Sequence, residues 1–474
     1  MRPSNRFLTD AAPSPRPVPE CSRRAFFRGS AAGLAALATG CSSQPPRRPP
    51  NIVLFLADDL GYGDLSSYGA PDIHTPRIDS IGARGVRFTQ AYANAPECTP
   101  TRTALLTGRY QQRVGGLECA IGVGNVGRYD EAEWLQRRDE LGLPAAESAM
   151  VRLLAGAGYA TALFGKWHLG YLDKFSPNRH GFDEFYGILG GNADYFTHRE
   201  AGGRPVLYHN ERRIEEEGYF THLIRDRALE WLGRRRGTPF FLYLPFTAPH
   251  TPVQGPGDRG RTITEDNFNQ GDRAGYAAMV EAMDEAIGAV LDRLDAVGAA
   301  ENTLVAFQSD NGGYALSRNT PFRGGKGQLW EGGIRVPAMM RWPGVIPEAQ
   351  TTAQVSLSMD LLPTFLAAAG IARPPQRGFD GVNLLPFVTG EREPFFRTVY
   401  WRYKRLHNRR KAVRHGDMKY LWDNGDEYLY HLGADIHEDE NLIAELPDIA
   451  ADLRDRLIAW EDAVHAPRLA EFPG

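Results

Sequence analysis

Residues 51–59 read NIVLFLADD, an apolar run that ends abruptly in two adjacent aspartates. A continuous apolar run of this length is typical of a strand buried on both faces, as in a parallel sheet, because a strand with one wet face would alternate apolar and polar residues. The paired carboxylates begin where the apolar run stops. The stretch therefore predicts a central strand with polar chemistry at its carboxyl end.

Three further segments repeat the pattern of an apolar run leading directly into polar residues: 159–164 before GKWH (165–168), 240–246 before APH (248–250), and 303–308 before SDNGG (309–313). Apolar residues recur at helical spacing between some of them, within 220–232 and 276–294. Strands alternating with helices predict an α/β core built on a parallel sheet. Ligands bind beyond the carboxyl ends of such strands, so the four polar clusters should share one site.

The sequence pattern changes after about residue 380. Short aromatic-rich segments separated by turn residues indicate an antiparallel sheet, with strands at 398–403, 411–414, 418–422 and 427–431. Residues 447–464 have the spacing of a closing amphipathic helix. We therefore predict a main domain at 51–380 and a smaller C-terminal α+β subdomain at 381–474.

The first fifty residues have the pattern of an export signal. Arg23 and Arg24 precede Phe26-Phe27 and a small-residue apolar run at 29–40, which is too short to span a membrane. Paired arginines are typical of the bacterial twin-arginine signal. The run ends in ATGC at 38–41, which resembles a lipoprotein box with its leucine shifted by one position. We expect residues 1–50 to be a signal and a Pro-rich spacer, with a disordered tail as the alternative.

Two expectations about location and partners follow from the termini and the charge. The protein should be exported, to the periplasm or as a lipoprotein anchored through Cys41. A net charge of -4 over 474 residues gives no electrostatic basis for binding nucleic acid. The short basic clusters at 234–236 and 409–411 are typical of solvated surface, with a local anion pocket as the alternative.

The aspartates point to a metal. The oxygen-bearing side chains that follow two predicted strands are Asp58, Asp59, Asp310 and Asn311. Adjacent carboxylates repel each other, so placing them in one cleft is costly unless a cation compensates. Hard oxygen ligands favour calcium or magnesium over zinc. A single pair would equally suit a helix cap or a turn, whereas two pairs after two buried strands favour a metal site.

Residues 98–102 read CTPTR, the second chemically suggestive cluster. A cysteine near a helix start has its thiolate stabilised by the helix dipole, and Arg102 adds positive charge one turn later. Taken alone, Cys98 is either a reactive thiol or a buried structural cysteine. Four cysteines at 21, 41, 98 and 119 do not form a disulfide framework in a chain this long.

The run CTPTRTALLTGRY at 98–110 closely resembles the signature of type I sulfatases, in which a maturation enzyme oxidises the cysteine of Cys-x-Pro-x-Arg to formylglycine. The other clusters match family motifs in the family's order: paired aspartates at 58–59, GKWHLG at 165–170, APHTP at 248–252, SDNGG at 309–313 and FRGGKG at 322–327. The resemblance covers about residues 51–474. It implies an alkaline phosphatase-like fold, with a large mixed, mostly parallel sheet sandwiched by helices and a smaller C-terminal antiparallel sheet plus helix.

The resemblance also implies a role for each matching residue. The ligands of a calcium ion, rather than magnesium, would be Asp58, Asp59, Asp310, Asn311 and the oxygen of modified Cys98. Among the catalytic groups, Arg102 would orient the hydrated aldehyde, and Lys166 and Lys326 would hold sulfate oxygens. His250 would protonate the leaving oxygen, and His168 would deprotonate the second hydroxyl. One hydroxyl of the hydrate would attack sulfur, and loss of the other proton would then expel sulfate, a step that serine cannot perform.

The implied reaction is hydrolysis of a sulfate ester, and the sequence leaves the alcohol open. Aryl sulfates, sulfated monosaccharides and sulfated polysaccharides all fit. Family members contact substrate through a polar residue in the region that corresponds to 190–198, where Asn192, Asp194 and His198 are candidates. His74 is interpreted as structural.

Two alternative functions compete with this interpretation. A related enzyme acting on phosphate esters would use Ser or Thr as its nucleophile and would hold two transition metals through several His and Asp ligands. An exported lipoprotein that binds sulfated glycans without cleaving them would lack a catalytic residue, and none is missing here.

Overall fold

The computed structural model describes residues 48–122, 129–235, 237–375 and 378–473. The predicted export signal, with Cys41, lies outside these ranges. Among the described residues, no helix combines the length and the apolar character that crossing a membrane requires.

A ten-stranded sheet has the strand order β11-β2-β10-β9-β1-β8-β4-β5-β6-β7. Its strands are β1 (Asn51–Ala57), β2 (Val86–Phe88), β4 (Ala160–Lys166), β5 (Glu184–Ile188), β6 (Leu207–His209), β7 (Arg212–Arg213), β8 (Phe240–Pro245), β9 (Thr303–Ser309), β10 (Ala338–Arg341) and β11 (Gln350–Thr352). The strands β9, β1, β8, β4 and β5 run parallel, whereas β10 and β6 pair antiparallel at the two sides. The predicted mixed, mostly parallel sheet is therefore confirmed.

Helices cover both faces of this sheet. The ten α-helices within the described ranges are α1 (Pro76–Ala83), α2 (Cys98–Thr107), α3 (Asp130–Arg137), α4 (Ala149–Gly156), α5 (Phe220–Gly233), α6 (Arg273–Ala296), α7 (Glu331–Ile334), α8 (Leu361–Ala368), α9 (Leu385–Val388) and α10 (Pro447–Ala463).

The sequence of β1 is apolar throughout because both faces of this strand pack against helices. Val53 and Phe55 pack into a core with residues of α5 and α6, while Leu54 and Leu56 pack into a second core with residues of α2, α4 and α8. All four side chains are fully buried. Burial of each large apolar side chain contributes about 1.5–3 kcal/mol, so a wet face on this strand would be strongly destabilising.

The C-terminal part forms the predicted antiparallel sheet. Its strands are β13 (Thr398–Arg405), β14 (Asn408–His415), β15 (Met418–Asp423) and β16 (Asp426–His431), each paired antiparallel with the next. The two short strands β3 (Ala91–Tyr92) and β12 (Ser356–Leu357) pair separately. Trp401 and Leu453 share a third core with Tyr92 and Trp330 of the main part. This shared core brings the C-terminal sheet close to the segment before α2.

Candidate active site

The four polar clusters lie beyond neighbouring strand ends, because β9, β1, β8 and β4 are adjacent in the sheet. Backbone hydrogen bonds tie these ends together. The N–H of Asp58 donates to the carbonyl of Ala248 at 3.1 Å, and the N–H of Asp310 donates to the carbonyl of Ala57 at 3.0 Å. The edge of a parallel sheet therefore assembles residues that are far apart in the sequence.

The acidic cluster is completely withdrawn from solvent. Asp58, Asp310 and Asn311 have no exposed surface, and Asp59 is 3% exposed. The Nδ2 of Asn311 donates to Asp59 Oδ1 at 2.8 Å, and the N–H of Asp59 donates to Asp310 Oδ1 at 3.3 Å. Asp59 adopts a left-handed backbone with a φ of 61°, a conformation that costs a non-glycine residue about 1–3 kcal/mol and is concentrated at functional sites.

These residues fit a hard divalent cation. Asn311 Oδ1 is buried and accepts no hydrogen bond from the described residues. A buried acceptor without a partner costs about 1–3 kcal/mol, which a cation would recover. Ligand atoms of Asp58, Asp59, Cys98 and His250 all lie within 4.8 Å of one another. Three of the predicted metal ligands, Asp58, Asp59 and Cys98, thus meet in one place, together with a histidine whose sequence motif suggested a different role. Asp310 and Asn311 are not in this group, but both are hydrogen-bonded to Asp59.

The pKa values of the aspartates reflect this crowding. Burial would raise the pKa of Asp59, but the nearby charges, above all that of Lys326 and then that of Lys166, outweigh it and hold the pKa well below its ordinary value. Burial and then the neighbouring Asp58 raise the pKa of Asp310. A bound cation would favour the charged form of such a carboxyl.

Cys98 is the first residue of α2, a helix whose ten residues are all buried. The helix ends at Gly108, where a φ of 66° suits glycine and a Cβ would lie 2.6 Å from Leu362. Cys98 Sγ lies 3.3 Å from Asp58 Oδ1 and 3.3 Å from Lys166 Nζ. The helix therefore delivers Cys98 to the acidic cluster.

The thiol of Cys98 is not activated in this environment. Burial, followed by the charge of Asp58, raises its pKa well above the ordinary value, despite opposing charges of Lys166 and Lys326. The expected stabilisation of a thiolate by the helix start and Arg102 is therefore outweighed. Arg102 points instead at Asp310, with Nη2–Oδ2 at 2.9 Å, and donates to the carbonyl of Lys166 at 2.7 Å.

Two lysines neutralise the two adjacent aspartates. Lys166, the last residue of β4, forms a fully buried ion pair with Asp58. Lys326 Nζ lies 2.7 Å from Asp59 and 3.7 Å from Cys98 Sγ. Both ammonium groups therefore face Cys98, where the sequence motifs placed them.

The two predicted catalytic histidines are neutral and differ in tautomer. His168 Nε2 lies 2.7 Å from the carbonyl of Ile121, so Nε2 carries the hydrogen, and Nδ1 is a buried acceptor with no hydrogen-bond partner in the described part of the chain. His250 Nδ1 lies 2.6 Å from the carbonyl of Thr251, which leaves Nε2 as the acceptor, 3.5 Å from Asp59. Burial lowers the pKa of both rings, for His250 to about 3 with the help of the Lys326 charge.

A cavity of about 670 Å³ opens above Cys98. Asn192 contributes to its lining, whereas Asp194 and His198 do not. The Asp194 carboxylate instead accepts hydrogen bonds from the backbone N–H of Phe196 and Thr197, at 2.9 and 2.7 Å. Of the three candidates in 190–198, only Asn192 is therefore placed to contact a ligand.

The cavity wall also contains charged residues that no sequence motif marks, among them Glu97 and Arg405. These two residues form a salt bridge across a sequence separation of 308 residues, between the segment before α2 and the end of β13. Glu97 was visible as an unusual charge beside Cys98, but nothing in the sequence identifies its partner. Both described cysteines, Cys98 and Cys119, are free.

Comparison with known proteins places this site in a family. The family model described as Sulfatase matches residues 50–371, and a model described as N-sulphoglucosamine sulphohydrolase, C-terminal, matches residues 325–463. The chain is 33% identical over 431 residues to the N-acetylgalactosamine-6-sulfatase of Canis lupus familiaris, covering 86% of this chain and 78% of that protein. It is 34% identical over 462 residues to the steryl-sulfatase of Mus musculus, covering 80% of this chain and 70% of that protein.

A solved structure with a similar fold supports the same family. The crystal structure of Ps i-CgsB in complex with k-i-k-neocarrahexaose matches with a TM-score of 0.76 and 31% identity, covering 87% of this chain and 93% of that chain. The family match spans both the strand-end clusters and the C-terminal sheet. The chain therefore belongs to the sulfatase family, within the alkaline phosphatase-like superfamily, and is a sulfuric ester hydrolase.

Proposed function

We propose that this enzyme hydrolyses sulfate esters through a formylglycine made from Cys98 and a calcium ion held by Asp58, Asp59, Asp310 and Asn311. The observation that carries the proposal is the buried set of four oxygen donors around Cys98, one of which, Asn311 Oδ1, has no donor among the described residues. Oxygen donors of this kind suit a hard cation such as calcium.

The charges of the site support an anionic substrate. The carboxylates of Asp58, Asp59 and Asp310 are balanced by three cations, Lys166, Lys326 and Arg102. A divalent cation would add positive charge to this balanced cluster and attract the sulfate group. It would also lower the pKa of an oxygen bound beside it.

The environment of Cys98 supports modification rather than thiol chemistry. Burial and Asp58 hold the thiol pKa high, so an unmodified Cys98 would be protonated and weakly nucleophilic. The hydrate of formylglycine supplies one nucleophilic hydroxyl and a second hydroxyl whose deprotonation releases sulfate.

The remaining side chains have positions that suit binding and proton transfer. Lys166 and Lys326 direct ammonium groups at Cys98 and would stabilise negative charge on sulfate oxygens. Arg102 holds Asp310 and would orient the modified residue. His168 is suited to accept a proton, because its Nδ1 has no hydrogen-bond partner among the described residues. His250 would donate a proton to the leaving oxygen once a bound anion raises the pKa of His250.

The substrate class that we propose is a carbohydrate or aryl sulfate. A cavity of about 670 Å³ falls within the range of small-ligand sites and accommodates either. The neighbour solved with k-i-k-neocarrahexaose supports a glycan, and Asn192 is the candidate for contact with its alcohol part.

The experiment that tests the proposal compares sulfate release by the wild type with that by Cys98→Ala, produced with the maturation enzyme. We expect Cys98→Ala to lose all measurable hydrolysis of nitrophenyl sulfate and to keep its unfolding temperature. Cys119→Ala is the matched control, because Cys119 is equally buried and should be dispensable. Intact mass of the peptide that contains Cys98 should show formylglycine, and a plain thiol in active protein would refute the mechanism.

The phosphate-ester alternative is tested with the same preparation. We expect turnover of nitrophenyl sulfate to exceed that of nitrophenyl phosphate, because the metal-ligand group found among the described residues contains one histidine, His250, rather than several. A strong preference for phosphate would overturn the assignment of sulfate esters as the main substrate.

We also propose that the protein is exported through the twin-arginine signal and anchored at Cys41. The support is the sequence of residues 23–41 alone. This route carries folded proteins, so Cys98 would be converted before export. Formylglycine in the cytoplasmic precursor is the expected result, and conversion confined to the exported form would contradict it.

A further inference from the structure

Glu97 connects three segments of the chain directly beside the nucleophile position. Its carboxylate does not cap α2, although Glu97 immediately precedes that helix. Oε2 accepts a hydrogen bond from the N–H of Ala120 at 2.6 Å, and Oε1 accepts one from Tyr403 Oη at 3.0 Å and pairs with Arg405. Glu97 is 3% exposed, so these partners, rather than water, satisfy its carboxylate.

The strand β13 holds the same cavity wall at further points. Arg402 forms two parallel hydrogen bonds with Glu118, each of 2.8 Å, and the carbonyl of Arg402 accepts from Gln112 Nε2 at 3.0 Å. Two parallel bonds between a guanidinium and a carboxylate fix distance and orientation together. The wall that leads to Ala120 is therefore attached to the C-terminal sheet.

The same part of the cavity wall contacts His168 and bears on which ring nitrogen carries its hydrogen. The residue after Ala120 is Ile121, whose carbonyl accepts from His168 Nε2 at 2.7 Å and from Tyr171 Oη at 3.2 Å. A carbonyl can only accept, so it selects the His168 tautomer with hydrogen on Nε2. Nδ1 is then left as the buried acceptor.

We infer that Glu97 and Arg405 are positioning residues for proton transfer: by holding Ala120, they place the Ile121 carbonyl that keeps His168 in its Nε2-protonated tautomer. The inference rests on the proposed role of His168 as a base. Arg405, the last residue of β13, thereby acts on the active site. The C-terminal sheet thus helps to position a catalytic histidine.

The test uses Arg405→Met and Arg405→Lys in the full chain with converted Cys98. Arg405 is distant in sequence from the CTPTR motif, so intact mass should show normal conversion. The matched control is Lys411→Met on the adjacent strand, because Lys411 has the same 34% side-chain exposure as Arg405 and also forms a salt bridge, at 2.7 Å with Glu461. The measurements are kcat and KM for nitrophenyl sulfate and the ¹⁵N spectrum of the His168 imidazole, assigned with His168→Gln.

We expect Arg405→Met to lower kcat about tenfold with a smaller change in KM, because small displacements of catalytic groups cost rate more than affinity. Its His168 spectrum should show a mixture of tautomers. Arg405→Lys should restore most of the wild-type spectrum and rate, since the bond to Glu97 uses a single nitrogen. Lys411→Met should match the wild type in both measurements.

The inference is overturned if Arg405→Met keeps the wild-type tautomer of His168, whether or not its activity falls. Tyr403→Phe removes a single hydrogen bond from the same carboxylate and is judged by the same signals if Arg405→Met does not fold. Full activity of His168→Gln would instead refute the role of His168 as a base in the proposed function. Failure of the positioning inference and failure of the proposed function therefore give different results.

Discussion

Asn311 shows at the scale of one residue how the site is prepared for a cation. Its amide nitrogen is bonded to Asp59 and to the carbonyl of Gly312, both at 2.8 Å, while its buried oxygen has no donor among the described residues. An amide that is held through its nitrogen presents its oxygen in a fixed direction. This orientation is difficult to explain by packing alone, because the unsatisfied oxygen is destabilising without a ligand.

We predict that Asn311→Ala weakens calcium binding at least about tenfold, since loss of even a supporting group around a metal commonly costs 10–100-fold in affinity. Calorimetric titration of calcium into chelator-treated protein measures the change. Asn192→Ala is the control, because Asn192 lines the cavity and lies outside the proposed set of metal ligands. Equal affinities of Asn311→Ala and the wild type would remove Asn311 from the ligand set.

At the scale of elements, the sequence predicted most strands and helices that position the site. The four apolar runs became β1, β4, β8 and β9 with ends shifted by at most two residues, because burial on both faces leaves a strong local signal. The predicted C-terminal strands are longer in the structure. For example, β14 begins at Asn408 instead of 411, since antiparallel pairing with β13 extends through charged residues.

Docking of α1 on α6 carries a pH-dependent contribution to stability. Asp284 of α6 accepts hydrogen bonds from the N–H groups of Arg77, at 3.0 Å, and Ile78, at 2.7 Å. Burial nevertheless raises the pKa of Asp284 from 3.8 to about 6. The native state therefore binds this proton more tightly than the unfolded state, so stability falls as pH rises from about 4 to 6.

We predict that Asp284→Asn increases the free energy of unfolding by about 1–3 kcal/mol at pH 8 and has little effect near about pH 3, where Asp284 is mostly protonated in both states. Urea unfolding at the two pH values measures this difference. Asp292→Asn on the exposed side of α6 should show no such pH dependence. Destabilisation by Asp284→Asn at pH 8 would mean that the charged carboxylate is preferred as the helix cap.

The C-terminal sheet is joined to the main part by a buried ion cluster. Lys419 of β15 has no exposed surface and lies 2.9 Å from Glu331 and 2.8 Å from Glu438, which are also fully buried. We predict that Lys419→Met lowers the free energy of unfolding by about 3–5 kcal/mol, because it leaves the buried Glu438 without its counter-ion and leaves Glu331 with Arg335, at 3.3 Å, as its remaining ion-pair partner.

Urea unfolding of Lys419→Met beside Lys411→Met measures that loss. The Lys411 pair is partly exposed, so its removal should change stability by only about 0–1 kcal/mol. Similar values for the two variants would show that the buried cluster does not stabilise the junction.

At the scale of the whole molecule, the active-site cavity adjoins a second groove of about 570 Å³ along residues 313–328. The two share Tyr314 and Lys326 in their linings, and Tyr314 is 48% exposed. An exposed tyrosine offers an apolar face and a polar edge at low entropic cost. The proposed glycan would therefore extend from the cavity across Tyr314.

We predict that Tyr314→Ala lowers the ratio of kcat/KM for a sulfated oligosaccharide to kcat/KM for nitrophenyl sulfate by about tenfold, because only the longer substrate reaches the groove. Phe396→Ala, which truncates an aromatic residue that is 81% exposed elsewhere, should leave the ratio unchanged. An unchanged ratio in Tyr314→Ala would exclude the groove as a glycan subsite.

The sequence by itself determined the buried strands, the polar residues at their carboxyl ends and the motif around Cys98, because each of these is encoded by residues adjacent in the chain. The tertiary structure alone decided that Asn192 rather than Asp194 lines the cavity and which nitrogen of His168 carries hydrogen. It also decided that Glu97 pairs with Arg405, 308 residues away. Burial, tautomer and pairing depend on contacts between distant segments, and these contacts exist only once the sheet and the C-terminal strands have assembled.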